Sequence, residues 1–318
     1  MSRKNANEFD LIRDYFSGRS PFHSETLLGI GDDAALLVVP EGHQLVVSVD
    51  TMVEGVHFLP DTDPEALGHK LLAVNLSDLA AMGATPRWAT LAITLPEQNP
   101  DWLASFSSGL FALAERFQVD LVGGDTTRGP LTLTLQIHGT VPEGEAVRRD
   151  GAQVGDLIVV TNQLGAAGYA LQQLQQGEMA EEIRHTLERP IPQLEAGQIL
   201  RQQAHAMVDI SDGLLADLGH ILQQSGVGAE IDLQAIPIHP ALYSVALDKQ
   251  LDFALTAGDE YQLCATIPGD ALESVQQQFS AYEIGCSVVG AVVEGEGIQW
   301  REGQQWFPSR QGFQHFGP

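Results

Sequence analysis

Five short segments of this chain set a carboxylate beside a strand-like run, a glycine pair or a helical turn, and they limit what it can fold into. They are Gly29-Ile30-Gly31-Asp32-Asp33, Ser48-Val49-Asp50-Thr51, Asn75-Leu76-Ser77-Asp78, Gly123-Gly124-Asp125-Thr126-Thr127 and Asp209-Ile210-Ser211-Asp212-Gly213. Four of them follow or contain a strand-like run or a glycine pair, an arrangement that presents an acid at the edge of a sheet. In the fifth, Asp78 shares a helix face with Asn75 at i and i+3. A single aspartate in a glycine-rich loop is often only a turn former. Five such segments, in a chain with 42 Asp+Glu against 16 Lys+Arg, are another matter. Clustered carboxylates repel, and a fold keeps them best when cations neutralise them. All-oxygen ligands favour Mg²⁺ over zinc or copper.

Around these segments the pattern predicts sheets with helices on them. Gln44–Asp50, Trp88–Leu95 and Leu131–Ile137 read as strands, the last by strict alternation of Leu or Ile with Thr or Gln. Leu67–Met82 reads as a helix stopped by Gly83-Ala84-Thr85-Pro86, and Asp101–Arg116 as a helix with Asp101 near its N-cap. Pro, Gly and charge gather over Val141–Gly155, so the boundary between two domains, 1–145 and 150–318, is placed there. Beyond it, strands are expected at Leu157–Thr161, Ala229–Leu233, Tyr261–Ile267 and Cys286–Val293. Helices are expected at Ala166–Gln175, Gln193–Ala204 and Leu214–Gln224. Strands and helices alternate without strict βαβ spacing, so the fold class is α+β (α/β) with two sheet-based domains.

Composition removes whole classes of function. A formal charge of −26 excludes nucleic acid or an anionic membrane surface as the main partner. No apolar stretch approaches the ~18 residues of a membrane span, and the N-terminus leads into no signal sequence, so a cytoplasmic protein is expected. None of Lys4, Lys70 and Lys249 sits in a P-loop, and Cys264 and Cys286 form no CxxC. Nucleophile-elbow, zinc-protease and protein-kinase motifs are missing. Gly29-x-Gly31-x-x-Ala34 mimics a dinucleotide fingerprint, but Asp32 and Asp33 would stand where the pyrophosphate must approach, and no helical pattern follows. Among ten histidines, only His57, seven residues past Asp50, is kept as a candidate.

Polyphosphate chemistry suits this inventory. A site poor in Lys and Arg must neutralise a nucleotide's charge with ions held by carboxylates, which also stabilise a loose phosphoryl-transfer transition state. An acceptor that is itself a phosphate is already largely ionised at pH 7, so neither a general base nor a covalent nucleophile is required.

At six motifs the chain resembles the thiamine-monophosphate kinase family of the aminoimidazole-ribonucleotide-synthetase-like superfamily. They are GIGDDAAL (29–36), VDTMVEGVHF (49–58), AVNLSDLAAMGATP (73–86), GGDTTRGPLTLT (123–134), DISDGLLADLGH (209–220) and AGDEYQL (257–263). The resemblance covers nearly everything from Glu8 to Phe316. It implies γ-phosphoryl transfer from ATP to thiamine monophosphate, several Mg²⁺ ions, a homodimer formed through the sheet of the N-terminal domain, and an active site in the cleft between the domains. Carried over by motif, Asp33, Ser48, Val49 (through its carbonyl), Asp50, Asp78, Asp125, Asp209 and Asp212 would hold metal. Gly124, Asp125, Arg149 and Ser211 would meet ATP. His57, Glu260 and Phe313 would hold the acceptor. The chain departs from the family pattern at Asp259-Glu260, where the reverse order is commoner, which puts in doubt which of the two reaches substrate. Asn162, Gln193 and Phe313 also differ from it, replacing a frequent glycine, a basic residue and a tyrosine. Other members of the superfamily, or a non-catalytic divalent-cation binder, are the alternatives.

Overall fold

The computed structural model describes residues 8–177 and 181–309; Phe313 lies outside them. By contacts the chain divides into two compact units. One runs to Leu79 and resumes over Thr85–Gly144; the other takes Ala80–Ala84 and the chain from Glu145. Both are mixed α/β.

In the first unit, β1 (Thr26–Leu28) and β2 (Leu36–Leu37) make a small ribbon. Strands β3 (His43–Val53), β4 (Thr85–Leu95), β5 (Asp120–Arg128) and β6 (Thr132–Pro142) form a sheet in the order β3-β6-β4-β5. Antiparallel pairs dominate, but β4 and β5 run parallel, joined by the helix Pro100–Phe117. The period-2 expectation for Leu131–Ile137 is realised in β6, where Leu133, Leu135 and Ile137 are fully buried while Thr134 and Gln136 are half-buried. The helix Pro64–Ala81 is apolar nearly all round, as a buried helix must be. From Leu71 to Ala80 its one residue that is not buried is Asp78.

Two expectations are sharpened here. The helix Pro100–Phe117 is capped by Asn99, whose side chain accepts from the Trp102 N–H at 3.1 Å, and Pro100 takes the first helical position. Asp101 is therefore inside the first turn. The Gly123–Thr127 segment is strand, the interior of edge strand β5, with Gly124 opposite Leu91 and Asp125 opposite Ala92.

The second unit is built on a six-stranded sheet. Its strands are β7 (Leu157–Thr161), β8 (Ala206–Asp209), β9 (Gly228–Ile231), β10 (Leu263–Ile267), β11 (Cys286–Val293) and β12 (Gly297–Trp300), in the order β12-β9-β11-β7-β10-β8. Strand β10, between β7 and the edge strand β8, is buried at every residue, the mark of a strand covered on both faces. It starts at Leu263 rather than Tyr261 because Asp259 and Tyr261 adopt positive φ, 64° and 49°, and cannot continue a strand. The helix expected over Gln193–Ala204 covers only Leu194–Leu200. Among the described residues no helix is long and apolar enough to cross a membrane.

Candidate active site

In the first unit, the pleat of β3 turns Ser48 and Asp50 to the face that is partly covered and turns Val47 and Val49 outward. From the helix Pro64–Ala81, Asp78 reaches the same place, where its Oδ2 accepts a hydrogen bond from Ser48 Oγ. Asp50 is half-buried, and its carboxyl is pushed up to about 7, first by burial and then by the charge of Asp78. Two carboxylates thus face each other in a partly dry setting, a state that a cation relieves.

Asp33 and Asp125 are exposed, the first in the turn after β1 with its N–H on Asp32 Oδ1 at 2.8 Å, the second on β5. Beside Asp125, Gly124 has φ of 153°, and a Cβ there would meet the Leu91 carbonyl oxygen at 1.9 Å. Only glycine lets β5 lie this close to β4. His57 follows β3 in a turn; its Nδ1 accepts the Val53 N–H at 3.0 Å, which leaves the ring proton on Nε2.

The second unit carries the remaining candidates. Asp209 ends β8 and is buried, while Ser211 and Asp212 are half-buried in the loop that follows. That loop is held by a residue that motif reading missed. Asp217, in the first turn of the helix Leu214–Ser225, accepts on Oδ2 the N–H groups of Ser211 (3.0 Å), Asp212 (3.0 Å) and Gly213 (3.1 Å). Burial raises its carboxyl to about 7, against the opposing pull of those amides. The signal was available: an acid at the start of a helix, four residues past a glycine that opens it. Arg149 is exposed, and its carbonyl accepts from Ser225 Oγ at 2.9 Å.

Glu260 is only 8% exposed and accepts the N–H groups of Gly165 (2.9 Å) and Ala167 (3.2 Å) at the start of the helix Ala166–Gln176. Burial pushes its carboxyl up to about 8. Its neighbour Asp259 is half-buried and accepts from the Tyr261 hydroxyl at 2.8 Å. The departures at Asn162 and Gln193 prove to be linked, since Asn162 Nδ2 donates to Gln193 Oε1 and to Gln262 Oε1, each at 3.0 Å.

The structure therefore gathers Ser48, Asp50 and Asp78 in one unit, and in the other sets Asp209–Gly213 against Asp259–Tyr261. Among the described residues no three Asp, Glu, His or Cys side chains converge on one point. Mg²⁺ does not require that: it is held by one or two carboxylates and keeps waters and substrate phosphates for its other positions. The Asp50–Asp78 pair fits such an ion.

Comparison with known proteins gives the chain a family. Residues 31–141 match the N-terminal domain of AIR synthase related proteins, and residues 153–301 match their C-terminal domain. The thiamine-monophosphate kinase of Salmonella typhimurium (strain LT2) is 50% identical over 82% of each chain. The crystal structure of thiamine-monophosphate kinase from Stenotrophomonas maltophilia K279a superposes with a TM-score of 0.85 at 46% identity, over 88% of this chain and 92% of that one. A structure of AaThiL complexed with AMPPCP and TMP gives a TM-score of 0.77 at 30% identity, over 90% and 92%. With both domains matched in order and relatives this similar over most of its length, the chain belongs to the thiamine-monophosphate kinase family of AIR synthase related proteins.

Proposed function

We propose that the chain catalyses the ATP-dependent phosphorylation of thiamine monophosphate to thiamine diphosphate, with ADP as co-product and as the last step of thiamine diphosphate synthesis, in the cytoplasm. The observation that carries the site chemistry is the Asp50–Asp78 pair, where Asp50 is raised to about 7 by burial and by its neighbour's charge. The acceptor follows from the relatives, which are thiamine-monophosphate kinases and include a structure holding AMPPCP and TMP.

In this reading Asp33, Ser48, the Val49 carbonyl, Asp50, Asp78, Asp125, Asp209 and Asp212 hold Mg²⁺. When bound, the ions neutralise the charge that spreads over the transferring phosphoryl group. Gly124, Asp125, Arg149 and Ser211 position the nucleotide. His57, with its Nε2–H as donor, and the Asp259–Glu260 pair position the acceptor, with Phe313 as a further aromatic contact. The acceptor phosphate, largely ionised at neutral pH with a second pKa of about 6, attacks in line, so no residue of the chain serves as base or nucleophile.

Product chromatography tests this. Incubated with ATP and Mg²⁺, the protein forms thiamine diphosphate from thiamine monophosphate, in step with ADP, and none directly from free thiamine. ATP consumption without a thiamine product would point to another reaction of the superfamily; no consumption at all would leave a cation-binding protein.

The homodimer belongs to the same proposal. Strand β3 is an 11-residue edge, and Leu45, Val47 and Val49 stand 47%, 47% and 56% exposed along its outer face. Native proteins rarely leave so long an apolar edge open, and a second copy of the chain is the occupant the family resemblance implies. Val47→Lys would then turn a dimer into a monomer by light scattering; an unchanged dimer would count against this surface.

A further inference from the structure

Asp33 and Asp125, both exposed, stand on two different pieces of the first unit. Strands β1 and β2 form a ribbon with Thr26 opposite Leu37 and Leu28 opposite Leu36, so residues 29–35 are its turn and Asp33 lies at its tip. The tip is packed against little. Asp32 and Asp33 are exposed, and a Cβ at Gly29 or Gly31 would meet nothing within 4 Å. Where the tip stands is therefore decided at the base of the ribbon.

One buried side chain fastens that base. Asp120, the first residue of β5, is only 5% exposed. Its Oδ1 accepts the Phe22 N–H at 2.6 Å. Its Oδ2 accepts from Thr26 Oγ1 at 2.6 Å and from the His23 N–H at 3.3 Å. Two residues near the start of β4 complete the tie. Trp88 Nε1 donates to Thr26 Oγ1 at 2.9 Å, and Arg87 Nη1 donates to His23 Nδ1 at 3.1 Å. His23 Nε2 in turn donates to the Gln118 carbonyl at 2.7 Å. Across the ribbon, the Val38 N–H donates to the Glu25 carbonyl at 3.0 Å, so both of its strands share the anchor.

Strand β5 also carries Gly124 and Asp125. One strand thus sets Asp125 directly and Asp33 through the ribbon. Resting on the proposed function, we propose that Asp120 is a positioning residue of the phosphoryl-transfer site: it holds Asp33 in one frame with Gly124 and Asp125, so that both acids meet the ions on the nucleotide's phosphates. It acts through the ribbon and touches no substrate. Such a frame matters because displacing a site group by about 1 Å can cost on the order of 100-fold in rate.

Kinetics and calorimetry together separate positioning from mere stability. Asp120→Ala leaves three donors without their acceptor. It should raise KM for ATP about tenfold, and by a similar factor the Kd for Mg²⁺ with a non-hydrolysable ATP analogue, while KM for thiamine monophosphate changes less than about threefold. Asp120→Asn keeps a side-chain oxygen for the Phe22 amide and should restore most of both nucleotide constants. Val275→Ala, a core change in the second unit, should lower Tm and move neither. The assignment is overturned if Asp120→Ala lowers Tm but leaves both nucleotide constants at wild-type values, if it raises KM for thiamine monophosphate as much as that for ATP, or if Val275→Ala shifts the nucleotide constants equally. Should Asp120→Ala fail to fold, Thr26→Val decides: a rise of about threefold in the same constants supports the tie, and unchanged constants overturn it. A wild type that makes no thiamine diphosphate would overturn the reaction and not the tie, which the calorimetric Kd then decides alone.

Discussion

Asp50 in the first unit and Asp217 in the second are both carboxyls raised to about 7, yet they are raised in opposite company. Asp50 faces a second carboxylate, Asp78, and its shift has two sources, burial and that charge. Asp217 faces three backbone N–H groups that favour its ionised form, and burial, helped by the charge of Asp212, outweighs them. Glu260 follows Asp217, with its amides at Gly165 and Ala167. Under the proposed function the first environment is completed by a cation; the second is completed by the protein's own amides. A raised pKa therefore points to a ligand site where a neighbouring acid is not offset by backbone N–H donors, as it is at Asp217 and Glu260.

The comparison can be broken by mutation. The largest effect is expected at Asp50→Asn, which should lower kcat on the order of 10³-fold by removing charge from the transferring phosphoryl group's environment, with circular dichroism unchanged. Turnover within tenfold of wild type would show that Asp50 is not part of the site. Next comes Asp217→Ala, which leaves the N–H groups of Ser211, Asp212 and Gly213 without their acceptor. It should cost about 2–3 kcal/mol of stability in urea titration, whereas Asp217→Asn, which keeps an acceptor oxygen, should cost clearly less. Equal losses would mean that charge, not the amide bonds, holds the loop.

The smallest effect is a pH dependence. Asp50 sits at about 7 in the folded chain and near 3.9 in the unfolded one. Between these values the folded state binds more protons, so its contribution is full below about pH 4 and is lost as pH rises toward 7. In metal-free protein, Asp50→Asn should therefore gain Tm over wild type progressively from pH 5 to pH 8. A difference that stays constant with pH would contradict the shift.

How much of this was visible in the sequence depended on how locally each feature is determined. The alternation of Leu131–Ile137 read correctly because one face of β6 is buried and the other is not. Strand β5 did not read as a strand because an edge strand with one neighbour needs little apolar surface: beyond Val122, its Gly-Gly-Asp-Thr-Thr run resembles a loop. The helix Leu272–Ser280 was missed for a similar reason, since only Val275 and Phe279 of its nine residues are buried. At the site, Asp50 and Asp78 were legible from their motifs. The commitment of Glu260 was not, because its partners lie more than ninety residues away and appear only once β7 and β10 pair.

The most direct test of the contrast is the rise in Tm that Mg²⁺ with a non-hydrolysable ATP analogue produces at pH 8, compared among wild type, Asp50→Asn and Asp217→Asn. Wild type and Asp217→Asn should both be stabilised, and Asp50→Asn should lose most of that rise. A full rise in Asp50→Asn, or its loss in Asp217→Asn alone, would contradict the assignment of Asp50 to the cation and of Asp217 to the protein.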